Sequence, residues 1–99
     1  MEVLVLLHLV FNSSYKTATT LELIDFVIPN DAIIFIEDGV YNILNDSLLD
    51  KLQATTKSIY YLENDVVARG LMPKIKERAL INYLDLVRLT ENNSQIISW

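Results

Sequence analysis

The chain has 99 residues, room for one domain spanning 1–99 whose hydrophobic core is adequate but not generous. Apolar residues make up 52% and charged ones 21%, Pro29 and Pro73 are the only prolines, and the net charge is −5. This composition excludes a disordered tail, and its charge opposes an unaided grip on nucleic acid, which needs lysines and arginines to displace counterions. Cysteine is absent, which removes disulfides, thiolate metal sites and thiol nucleophiles together.

In chain order, Val3 to Val10 is a nearly continuous apolar run, the pattern of a strand covered on both faces. The run is far shorter than the ~20 residues of a membrane span. Glu2 stands where a secretory signal has its basic region, and His8 interrupts the apolar stretch, so a cytoplasmic protein away from the membrane is expected. Leu21, Leu23, Ile24, Phe26, Val27 and Ile28 predict a helix with only a narrow polar stripe, Glu22 and Asp25. Thr19 with Glu22 fits a capping box, Ser13 or Ser14 offers an earlier start, and Pro29-Asn30 ends the helix.

Ala32 to Ile36 predicts the second strand, and Asp46-Ser47 caps a helix carrying Leu48, Leu49 and Leu52. Ser58 to Leu62 predicts a third strand. Asn64-Asp65 caps a short turn, Val66 to Arg69, that Gly70 terminates. Ala79 to Ile81 gives a short fourth strand, Tyr83 to Leu89 supplies the apolar face of a last helix, and Gln95 to Trp99 a fifth strand. Alternating strands and helices predict a three-layer α/β/α single domain with a mainly parallel sheet of about five strands.

The polar residues at the strand exits carry whatever chemistry the chain has. Open α/β sheets bind ligands outside the carboxyl ends of their strands, where Glu37, Asp38, Glu63, Asn64 and Asp65 fall. Neighbours on an extended chain point apart, so Glu37 and Asp38 converge poorly on one substrate atom, and capping and turn formation account for them better. His8, the only histidine, reads as a satisfied core residue rather than a proton carrier or ligand. Lone and without cysteine it makes no structural zinc site, and no metal or cofactor is expected.

The turn after the first strand, Phe11 to Tyr15, lacks glycine, and the chain has only Gly39 and Gly70, too few for a phosphate-cradling loop. Arg69 reads as a helix-end cation or a partner-facing ion pair. Trp99 fits core packing and a partner contact equally. The high apolar fraction of so small a domain itself predicts burial against other subunits.

Several pieces in order resemble the TusB/DsrH family. They are Leu7-His8, Ser13-Ser14-Tyr15, Glu37-Asp38-Gly39-Val40-Tyr41, Asp65 to Gly70, Tyr83 to Thr90 and Trp99, with Ser14 standing where the family has proline. The resemblance runs nearly end to end. It implies a DsrEFH-like fold and membership of a sulfur-relay complex with TusC-like and TusD-like subunits, a dimer of heterotrimers. Such a relay passes a persulfide toward 2-thiolation of the wobble uridine of tRNA. Some DsrH-type relatives carry a cysteine in the first helix, at a position that falls near Leu23 here.

A persulfide needs a thiol, and this chain has none, so its expected role is non-catalytic: completing an assembly by apolar contacts, with no direct nucleic acid binding. His8, Glu37, Asp38, Glu63, Asp65, Arg69 and Trp99 are the residues expected at a partner interface or strand-end site. Two alternatives stay open. One is a DsrH-like subunit of dissimilatory sulfur oxidation; the other is a stand-alone small enzyme or ligand-binding domain using the strand-end carboxylates and His8.

Overall fold

The computed structural model describes residues 6–75, 79–92 and 95–99. Five parallel strands, β1 (Leu7–Val10), β2 (Ala32–Phe35), β3 (Ser58–Leu62), β4 (Leu80–Ile81) and β5 (Ile96–Ser98), lie in the order β4-β3-β2-β1-β5. The chain therefore builds the sheet outward from β1 in one direction, then returns to add β5 on the other side. Residues 3–5 of the predicted first strand lie outside the described residues.

Alternation sorts the strand side chains into two cores. His8 and Val10 share one face with Ile33, Phe35, Ile59 and Tyr61, and Phe35 and Tyr61 stack with ring centroids 5.1 Å apart. That face is covered by α1 (Leu23–Phe26), α2 (Asp46–Thr55) and α3 (Glu63–Ala68), which bury Leu23, Leu48, Leu49, Leu52 and Val66. Leu7, Ala32, Ile34, Leu62 and Ile81 form the opposite core, against which Leu86 and Leu89 of α4 (Tyr83–Asn92) pack. Helices on both sides of a five-stranded sheet give the expected three-layer α/β domain.

Local chemistry shifts several predicted boundaries. Thr17, rather than Thr19, caps the first helical segment by accepting from the Thr19 N–H at 3.2 Å; the segment begins as a 3-10 turn, Ala18–Glu22, that runs into α1. Asn45, rather than Asp46 or Ser47, caps α2, its Oδ1 accepting from Leu48 N at 3.1 Å. The third helix starts at Glu63, directly after β3, and Gly70 ends it in the left-handed region at φ +68, where glycine carries no Cβ penalty. Asn82 and Asp85 cap α4 reciprocally, each side chain accepting from the other's main-chain N–H at 2.8 and 3.2 Å.

Candidate functional site

At the carboxyl end of β2 the backbone turns sharply. Ile36 is extended, Glu37 adopts φ +51, and a 3-10 helix runs from Glu37 to Leu44. A left-handed glutamate costs roughly 1–3 kcal/mol and persists only when its surroundings hold it. Asp65 does so, with its Oδ2 accepting from the Glu37 N–H at 2.7 Å. Gly39 follows with ordinary negative φ, yet no side chain fits there: an added Cβ would sit 1.9 Å from the Val10 carbonyl oxygen.

Arg69 ties this turn to α3. Its Nε and Nη2 donate to Asp38 Oδ1 at 3.1 and 3.0 Å, and its Nη1 lies 3.6 Å from Asp65 Oδ1. The guanidinium also stands 5.9 Å from the Tyr41 ring centroid. The structure thus brings Glu37, Asp38, Asp65 and Arg69 together, whereas Glu63 is exposed and makes none of these contacts. Glu37 contributes its main chain and Asp38 its carboxylate, so the adjacent acids do not act as a pair.

Beside this cluster, two asparagines tie the turn after β1 to the 3-10 helix. Asn42, fully buried, accepts from Ser14 N at 2.8 Å and donates to the Asn12 carbonyl at 3.1 Å; Asn45 donates to Ser14 Oγ at 3.0 Å. Tyr15 N donates to Ser13 Oγ, and the N–H groups of Lys16 and Thr17 donate to the Ser13 carbonyl. The amides of residues 14 to 17 are all spent on the chain itself, so this turn offers no row of donors to a phosphate. A shallow cleft of about 310 Å³ opens here, lined by Ser13, Tyr15, Lys16, Asp38, Tyr41 and Leu44.

His8 and Trp99 belong to a different place. His8 is completely buried, its Nε2 2.8 Å from Asp31 Oδ2 and its Nδ1 3.1 Å from Trp99 Nε1. An indole N–H can only donate, so Nδ1 accepts and Nε2 carries the proton that reaches Asp31. Asp31, equally buried, also accepts from Leu6 N at 3.0 Å and Ile28 N at 3.1 Å. The Trp99 ring packs tilted against Phe26 at 5.4 Å between centroids.

A model of the family described as DsrH like protein matches residues 12–96. The chain belongs to the TusB/DsrH family. It is 40% identical over 79 residues to Protein TusB of Yersinia enterocolitica, covering 78% of this chain and 83% of that protein. It is 34% identical over 96 residues, 95% of this chain and all of the relative, to Protein TusB of Yersinia pestis and likewise to that of Yersinia pseudotuberculosis.

Within this TusB/DsrH domain, Leu23 is wholly buried in the core that α2 and the sheet share. Among the described residues no group of three or more histidine, cysteine, aspartate or glutamate side chains could hold a metal. Sequence reasoning missed Asp31, Asn12, Asn42 and Asn45, which join distant segments. Asp31 had one legible signal, an acid immediately before a continuously apolar strand; the asparagines read as ordinary turn residues.

Proposed function

We infer that this chain is a non-catalytic subunit of a cytoplasmic sulfur-relay complex that supports 2-thiolation of the tRNA wobble uridine, assembled with TusC-like and TusD-like subunits as a dimer of heterotrimers. The observation that carries the inference is identity of 34–40% to proteins called TusB in a chain that has no cysteine. Sulfur in transit must ride on a partner's thiol, and what remains for this subunit is shape and adhesion. Large apolar side chains at the surface support this, including Tyr15, Val67, Tyr83 and Leu84, each more than half exposed.

The strand-end carboxylates support a scaffolding role better than an enzymatic one, because Asp38 and Asp65 are occupied by Arg69 and the Glu37 amide. Leucine rather than cysteine at position 23 likewise favours a subunit that is not itself charged with sulfur. Co-expression with TusC-like and TusD-like subunits tests the assembly: one stable complex is expected. Deleting the gene should lower tRNA 2-thiouridine measured by mass spectrometry, and the cysteine-free chain should restore it. Unchanged thiolation in the deletion strain would overturn the reading.

A further inference from the structure

β5 is one of the sheet's two edges, and nothing among the described residues pairs with its outer side. Leu7 N donates to Gln95 O at 3.1 Å, Trp99 N donates to Leu9 O and Phe11 N donates to Trp99 O, both at 2.8 Å, with Leu7 opposite Ile96 and Leu9 opposite Ser98. In that register residues 95, 97 and 99 turn their main-chain groups toward β1. Ile96 and Ser98 point theirs outward, and both residues are exposed, Ile96 by 43%.

Edge strands of monomeric proteins are usually blunted by lysine, proline, a bulge or a covering segment. Gln95-Ile96-Ile97-Ser98-Trp99 has no proline and no charged side chain, in a protein whose net charge is −5. The strand itself therefore brings no side-chain charge to a seam between two copies. The outward groups are also self-complementary. An antiparallel two-fold centred on Ile97 sets Ile96 opposite Ser98 of a second copy, and each such pair exchanges N–H and C=O. Phe26, 58% exposed beside Trp99, adds apolar cover on one side of the seam, and Ile96 on the other.

We propose that β5 is a homodimerisation edge, at which two copies of this chain join their sheets antiparallel across Ile97. The proposal stands apart from the sulfur-relay reading, since it concerns how the purified chain pairs with itself. Three variants test it by light scattering and sedimentation at micromolar concentration. Ser98→Pro deletes an outward N–H and leaves the β1 ladder intact; Ile96→Lys places a charge at the seam. Each should raise the dimer dissociation constant at least about tenfold while the circular dichroism of the fold is kept.

Ile97→Cys introduces the sole thiol of the chain. A non-hydrogen-bonded antiparallel pair has Cα atoms about 4.5 Å apart, within disulfide reach, so mild oxidation should give a covalent dimer, whereas Val87→Cys should not. Should Ser98→Pro fail to fold, Ile96→Lys and Ile97→Cys decide. A monomeric wild-type chain overturns the proposal, as does a dimer that these changes neither weaken nor cross-link. So does a monomer in which the same changes weaken binding to a TusC-like or TusD-like subunit, because the edge would then receive another protein's strand.

Discussion

Two polar clusters sit in one small domain under opposite conditions. His8 and Asp31 lie in the interior under the half-buried Trp99 indole, where water cannot replace a lost partner; Asp38, Arg69 and Asp65 lie at the strand exits with side chains 44, 22 and 19% exposed. The same kinds of contact, at similar distances, should therefore differ severalfold in energetic weight. The interior cluster joins β1, the start of β2 and β5, while the outer one locks two turns.

The largest effect should come from Asp31→Leu, which strands the N–H groups of Leu6 and Ile28 and the His8 ring in an apolar setting. A loss of about 3–5 kcal/mol in urea-monitored stability is expected. Gly39→Val comes next, at roughly 2–3 kcal/mol. It is damaging because of the nearby Val10 carbonyl, not because of backbone twist, so Gly39→Ala should already show most of the loss.

Arg69→Ala should cost about 1 kcal/mol and Asp38→Asn less; if Arg69→Ala matched Asp31→Leu, the contrast between the clusters would collapse. Smallest is Glu37→Gly, which relieves the left-handed backbone and should gain about 0.5 kcal/mol after the entropy cost of glycine.

An alkaline titration sharpens the picture from the core side. Burial raises the Tyr61 phenol well above its ordinary 10.0. The folded pKa exceeds the unfolded one, so the stability this confers is complete below pH 10 and drains away as pH climbs toward the raised value. Tyr61→Phe should flatten that alkaline decline in denaturation experiments.

The sheet was legible because burial on both faces leaves uninterrupted apolar runs: Ala32 to Ile36 and Ser58 to Leu62 coincide with β2 and β3 to within a residue. The helix caps were less so, since Thr17 and Thr19, or Asn45 and Asp46, offer equivalent oxygens and only the backbone path chooses between them. Arg69 and Asp38 each stood out, but their meeting across 31 positions depends on how two turns pack. Asn42 was opaque because its partners are main-chain groups, which every residue type supplies, while Asp31 showed only its place before an apolar strand and not its partners. Glu37 carries no sign in sequence of its left-handed backbone, which its neighbours impose.

The placing of β1 between β2 and β5 has a consequence for synthesis. Trp99 meets His8 across 91 positions, so a nascent chain can lay β2, and then β3, against β1 long before β5 emerges to close its other side. During that interval the central strand offers a bare flank to neighbouring nascent chains, and the closing contact carries the greatest loop entropy in the domain. Chaperone dependence should accordingly concentrate in the interval before β5 docks.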